Sequence, residues 1–297
     1  MFLSRINQTF AELRSRNRRG FIPFITAGDP DLETTRKLIV ELARIGSTLI
    51  ELGIPFTDPM ADGPVIQRAS ERALRNSFGI ADVLQIVSEA RKETEVPIIL
   101  FSYFNPLLQW CQKPDREGGP GSLKDAPVVN NALPNGRATD TSPFDFERLA
   151  QAAKLAGLDG VLVTDLVPEE AGEFASTLRA NDLDMIFLIA PTSTDERLKL
   201  VAERASGFIY AVSRAGITGA RNEMSAEAEK LVGRMRQFSD LPVAVGFGIS
   251  KPEHVADVWR YADAAVVGSA IVSEIESVGS ATEVVSRVSE FVRQLLR

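Results

Sequence analysis

The chain of 297 residues holds a single cysteine, Cys111, and a single histidine, His254. One thiol cannot close an intrachain disulfide, and one thiol with one imidazole cannot build a Cys/His metal cluster, so no metal site is expected. Long apolar runs are missing as well. None approaches the roughly 20 residues that cross a bilayer, and the N-terminus lacks the apolar core and small-residue cleavage site of a secretory signal. Positive charge is in deficit: 33 Lys and Arg stand against 40 Asp and Glu, a formal net charge of −7. That balance opposes a phosphate backbone and excludes nucleic acid as a partner. The expected compartment is the cytoplasm.

What is present is ordinary for a globular protein: 44% hydrophobic residues, 25% charged, enough to bury a full core. The opening stretch carries Arg5, Arg14, Arg16, Arg18 and Arg19, as an organellar transit peptide would. Phe2, Leu3, Ile6, Phe10 and Leu13 recur at helical spacing, however, and Glu12 interrupts the basic run, so a surface helix is predicted.

Beyond it, short apolar runs alternate with longer segments of helical period. The runs are FIPFITA from Phe21, STLIELG from Ser47, VPIILFSY from Val96, GVLVTD from Gly160, DMIFLIAP from Asp184, GFIYAVS from Gly207, LPVAVGFG from Leu241 and DAAVVGS from Asp263. Each is nearly continuous in hydrophobicity, as strands buried on both faces are. Helical stripes fill 32–46, 81–92, 146–156, 169–181, 196–205, 226–238 and 252–260. The alternation predicts an α/β fold, a TIM or (β/α)8 barrel formed as one domain over 1–297. A doubly wound open sheet is the alternative, but no Gly-rich fingerprint follows the first strand.

One segment breaks the rhythm. In 112–143, 17 of 32 residues are Gly, Pro, Asn, Asp or Ser and none is aromatic, a composition that cannot bury a core of its own. It is expected to be a mobile, solvated insertion after the third strand.

In such a barrel the chemistry gathers at strand C-termini. In TLIELG, Leu49, Glu51 and Gly53 share one face by period two and Ile50 and Leu52 the other, which turns Glu51 into the barrel. A carboxylate among apolar neighbours has its pKa raised toward the range of a general acid or base. A buried ion pair with an unseen Lys or Arg accounts for a lone strand-end Glu equally well. The loop that follows, GIPFTDPMADGP, adds Asp58 and Asp62 on a backbone stiffened by Pro55, Pro59 and Pro64. Either aspartate could instead cap the helix that opens near Val65.

Across the mouth, SRAGITG from Ser213, GFGIS from Gly246 and GSAIV from Gly268 give three Gly-rich strand ends in succession. Glycines let a backbone approach a ligand, and a helix opening at Ser269 would aim free N–H groups at a phosphate. Phe24, Tyr103, Leu162, Tyr210 and Phe247 are strand residues able to line an apolar pocket between the two constellations, although core packing explains each as well.

The strings FIPFITAGDP, ELGIPFTDPMADGP, YAVSRAGITGA, GFGIS and GSAIV resemble, in order and spacing, the α subunit of tryptophan synthase. The resemblance covers nearly the whole chain outside the insertion. It implies a TIM-barrel lyase that cleaves indole-3-glycerol phosphate to indole and glyceraldehyde 3-phosphate. Carried over by position, Glu51 matches the catalytic acid/base, Asp62 the carboxylate that holds the indole N–H, and Tyr210 a residue assisting near the substrate hydroxyl. Thr218 falls in a closing loop that Arg214 would brace. Gly219, Gly248, Gly268 and Ser269 match phosphate-binding positions, and Asp58 with Pro55 the loop that communicates with a β subunit. The resemblance further implies an α2β2 heterotetramer whose pyridoxal phosphate belongs to the β subunit, with no cofactor on this chain.

Two departures stand out. The insertion follows Asn105 and Pro106 on the surface that would face the β subunit, which puts ordinary docking in doubt, and Phe101 occupies a place near the indole pocket where relatives often carry a smaller aliphatic residue. A stand-alone lyase and a non-catalytic barrel that only binds phosphorylated ligands remain as alternatives, the intact Glu51, Asp62 and Thr218 weighing against the second.

Overall fold

The computed structural model describes residues 4–112, 144–212, 221–246, 248–278 and 280–297. Eight parallel strands close into a barrel in sequence order. They are β1 Gly20–Thr26, β2 Ile50–Gly53, β3 Ile98–Ser102, β4 Gly160–Val163, β5 Asp184–Ile189, β6 Ile209–Val212, β7 Val243–Gly246 and β8 Ala264–Val267. All eight apolar runs are strands, and β1 pairs with both β2 and β8, which leaves no open edge. The open-sheet alternative is thereby excluded.

The helices are α1 Arg5–Ser15, α2 Leu32–Ile45, α3 Pro64–Leu74, α4 Ile80–Ala90, α5 Phe104–Cys111, α6 Phe146–Ala156, α7 Gly172–Ala180, α8 Asp195–Arg204, α9 Arg221–Met235, α10 Pro252–Val258, α11 Ser269–Ser277 and α12 Ala281–Leu295. Their ends follow local chemistry. Asp31 caps α2 by accepting from the Thr34 N–H, and Gly46 ends it in the left-handed region at φ 106°, a conformation that glycine adopts without the Cβ penalty.

Two cores result. Ile50 and Leu52 face outward into the layer between strands and helices, whereas Leu49, Ile99, Leu162, Ile186 and Phe208 fill the barrel. Period-two parity therefore sorts β2 as predicted. α1 departs from the expected surface position: Ile6 and Phe10 are buried in the barrel core, with Leu13 packed against it, and Phe10 meets Phe208 at 5.9 Å between ring centroids. Ser4 donates to Asp184 at 2.6 Å, and Arg5 pairs with Asp159 at 3.0 Å. The helical stripe is real, but it stoppers the N-terminal end of the barrel because apolar strand residues there would otherwise meet water.

The insertion lies outside the described residues, but its two junctions do not. β3 runs first into α5, so the departure point comes after a helix rather than directly after the strand. Gln112 and Phe144 form an antiparallel bridge, and the Asp145 N–H donates to the Cys111 carbonyl at 2.8 Å. The chain thus leaves and re-enters at one point, with α6 starting immediately beyond it.

Candidate active site

A cavity of about 580 Å³ opens at the C-terminal ends of the strands, the size of a small-molecule site. Strand parity carries Phe24 of β1, Glu51 of β2 and Tyr210 of β6 into it, and the β2–α3 loop brings in Asp62. Gly248, Gly268 and Ser269 also line it. These seven of the expected site residues are brought together.

Glu51 is buried, and its Oε1 has no hydrogen-bond partner among the described residues. Burial alone pushes its pKa up to about 8, since transfer out of water penalises the charged form. No Lys or Arg among the described residues pairs with it. Asp62 is raised to about 6, chiefly by burial, with a hydrogen bond from Tyr103 acting the other way. The two carboxyls thus sit on either side of neutrality.

Asp62 is not a helix cap: Gly63 holds the N-cap of α3, with no side-chain cap bond. Its loop is instead pinned by Tyr103, whose hydroxyl oxygen accepts from the Ala61 N–H at 2.8 Å, and by Gln67, which donates to the Asp62 carbonyl at 2.9 Å. Tyr103 is therefore a positioning residue and not part of the large cavity's wall, contrary to the sequence expectation. Leu162 is a second correction. It packs in the barrel core, fully buried, one layer below the cavity, and Thr164 is the residue that reaches the cavity from that strand's end.

Tyr210 is half-buried. Its hydroxyl is held well above the ordinary tyrosine range, first by burial and then by the negative charge of Glu51, so it remains a proton donor. A Cβ on Gly246 would lie 2.2 Å from the Tyr210 Oη, and one on Gly53 2.5 Å from Phe24 Cζ. Both glycines are needed because aromatic rings lie directly on the backbone there.

The anion-suited wall lies two and three strands from Glu51 around the barrel, at β8 and β7, rather than opposite it. Phe24 stands between: it pairs with Glu51 across β1 and β2 and packs beside Gly268. Gly268 is the N-cap of α11 and supplies no side-chain bond, so the first N–H groups of that helix are free to meet an anion. Ser250, Ser269 and Ser273 add hydroxyls, and no Lys or Arg lines the cavity among the described residues. Phe101 meets Phe24 edge to face at 5.2 Å and, with Ile66 and Leu188, makes the wall apolar.

Ser250, Ser273, Ile66 and Leu188 were not anticipated as lining residues. Leu188 shares the inward parity of Ile186, and Ser273 stands one helical turn beyond Ser269, so a parity and helical-turn count would have found both. Asp58 is exposed, and Thr57 donates to it at 2.6 Å; Pro55 is buried, and neither lines the cavity. Arg214, Thr218, Gly219 and Phe247 lie outside the described residues. Among the described residues, no three His, Cys, Asp or Glu side chains gather as a metal site requires, and no helix is long and apolar enough to cross a membrane.

Fold and cavity together define a (β/α)8 barrel carrying two oppositely poised carboxyls at the C-terminal end of its strands. Comparison with known proteins gives the family. The sequence pattern described as "Tryptophan synthase alpha chain" matches residues 10–115 and 142–296, and the chain belongs to that family. The tryptophan synthase alpha chain of Solibacter usitatus is 42% identical over 295 residues, spanning 99% of this chain and 98% of its own. The crystal structure of tryptophan synthase subunit alpha from Legionella pneumophila superposes with a TM-score of 0.81 at 33% identity, covering 99% of this chain and 97% of the other. A structure of the tryptophan synthase α2β2 complex from Pyrococcus furiosus gives 0.77 at 36% identity, over 93% and 97%. Membership makes the chain an enzyme of the lyase type with a role in tryptophan biosynthesis. Residues 116–141 fall outside the family match, in keeping with an insertion.

Proposed function

We propose that the chain cleaves indole-3-glycerol phosphate by a retro-aldol reaction and does so as the α subunit of a complex with a pyridoxal phosphate-bearing β subunit. The observation that carries this reading is the poise of the two carboxyls in one apolar cavity. Near neutral pH Glu51 is protonated and Asp62 ionised, an acid and a base set apart by their surroundings.

Asp62 accepts the indole N–H proton while Glu51 delivers a proton to indole C3, which gives the indolenine tautomer. Glu51, now a carboxylate, takes the proton of the side-chain hydroxyl attached to the carbon next to C3. The carbon–carbon bond to C3 then breaks. Its electron pair returns through the ring system, Asp62 gives the proton back to nitrogen, and indole and glyceraldehyde 3-phosphate separate. Glu51 regains its proton, so nothing is consumed. Tyr210, held protonated, donates to the reacting oxygen, and the α11 N-terminus with Gly248 and Ser269 anchors the phosphate. Thr218, Gly219 and Arg214 are assigned to loop closure and phosphate contact from the family resemblance, and Asp58 and Pro55 to contact with the partner.

Glu51→Gln tests this directly. Indole release should fall by at least about a thousandfold, the order of a lost acid–base group, while the affinity for a non-cleavable phosphate analogue stays within about threefold. Turnover within tenfold of the parent would remove Glu51 from the chemistry. Release measured with and without added β subunit, and again after excision of 113–143, tests the partner: activation that is lost or altered by the excision places the insertion at that interface.

A further inference from the structure

Beside the large cavity, and sharing Phe24, Asp62, Ile66 and Phe101 with it, lies a second space of about 10 Å³ whose polar lining is Thr26, Ser70, Ser102, Tyr103 and Asp62. That volume is about what one water molecule requires, and apolar voids of this size stay dry while polar ones fill. Thr26 is the last residue of β1, on the same inward face as Phe24. It is 2% exposed, and its Oγ1 has no hydrogen-bond partner among the described residues. A buried hydroxyl left bare carries its full desolvation cost. Ser102 already donates to the Tyr103 carbonyl at 2.8 Å, which leaves its oxygen free to accept.

We propose that this space is a site for one ordered water, which accepts from Thr26 Oγ1 and donates to the Asp62 carboxylate and to Ser102 Oγ. Three hydrogen bonds are the usual complement of a buried water. The water makes Thr26 a positioning residue: through it, β1 holds the Asp62 carboxylate while Tyr103 holds it from the end of β3. Such a donor favours the ionised form of Asp62 and opposes the burial that raises its pKa. The other titratable groups lining the two cavities are Glu51 from β2, Tyr103 from the end of β3 and Tyr210 from β6. From α3, Arg68 and Arg72 are engaged by Glu276 and Asp29.

The assignment of the water stands on geometry alone; its effect on turnover rests on the role given to Asp62 above. The test is a high-resolution crystal structure of the parent protein together with carbon-detected NMR titration of the Asp62 carboxyl in the parent, Thr26→Val and Thr26→Ser. The expected result is one water within hydrogen-bond distance of Thr26 Oγ1 and Asp62 in the parent. Thr26→Val should lose it, with the Asp62 midpoint moving up by about 0.5–1 pH unit, the size of one water-mediated bond, and Thr26→Ser should restore both. Density showing Thr26 Oγ1 bonded to a protein acceptor, or no water in the parent, overturns the proposal, as does an unchanged midpoint in Thr26→Val. Neither measurement uses substrate. A failed indole-release assay alongside a positive result here would count against the function and leave the water in place.

Discussion

Glu51 should make the protein less stable as pH rises, by an amount the structure lets one work out. Its carboxyl is 1% exposed, without a partner for Oε1 among the described residues, and titrates at about 8 against an ordinary value of 4.5. Because the folded-state pKa is the higher one, the folded protein holds its proton where the unfolded chain has lost it. The favourable contribution is complete below about pH 4.5 and disappears as pH climbs through about 8. At about 1.4 kcal/mol for each pH unit between the two values, the full swing is roughly 5 kcal/mol, and a little over 3 kcal/mol of it is gone by pH 7. Glu51→Gln keeps the shape and removes the titration. The assay is urea unfolding of parent and Glu51→Gln at pH 5, 7 and 9, reading the difference between their midpoints. The two should differ by under about 1 kcal/mol at pH 5, and the variant should become progressively the more stable, by several kcal/mol at pH 9. Parallel curves across that range would refute the claim that Glu51 is buried without compensation.

The same two carboxyls shape the rate. kcat/KM for indole release should be bell-shaped, falling below about pH 6 as Asp62 gains its proton and above about pH 8 as Glu51 loses its own; Asp62→Asn should flatten the acid limb, and a profile level from pH 5 to 9 would contradict the assignment. Gly246→Ala places a methyl 2.2 Å from Tyr210 Oη and must drive the ring into the cavity. KM should rise about tenfold or more with a modest stability loss of about 1–3 kcal/mol, and unchanged kinetics would show that Tyr210 does not border the substrate. Arg72 binds buried Asp29 through two bonds of 2.9 and 2.8 Å. Arg72→Ala should cost about 3 kcal/mol in unfolding free energy by stranding that charge, and a loss under about 1 kcal/mol would mean that water or another cation compensates.

Much of this was legible in the chain because a buried parallel strand announces itself. The eight apolar runs each became a strand, and two-residue parity in TLIELG was enough to turn Glu51 inward. Parity gives a face but not a depth, which is why Leu162 was misplaced. Strand tilt sets how far along each strand the cavity floor falls, and on β4 that floor lies above Leu162, at Thr164. Tyr103 escapes sequence reasoning for a different reason. Its task arises only once the β2–α3 loop folds back over the end of β3, a contact between residues 42 positions apart. The apolar stripe of α1 could be seen in the sequence, but a stripe does not say which surface it covers. Asp62 was open to a capping reading because Gly63 and Pro64 form a helix start either way; only the backbone shows that glycine takes the cap.

α1 has a consequence for traffic. With Ile6 and Phe10 seated among the strands and the barrel filled behind the carboxyls, no path runs through the barrel axis among the described residues. A product therefore cannot be passed along the barrel axis to its far side. On the proposed reading, a protein that receives that product would stand at the strand ends where the cavity opens.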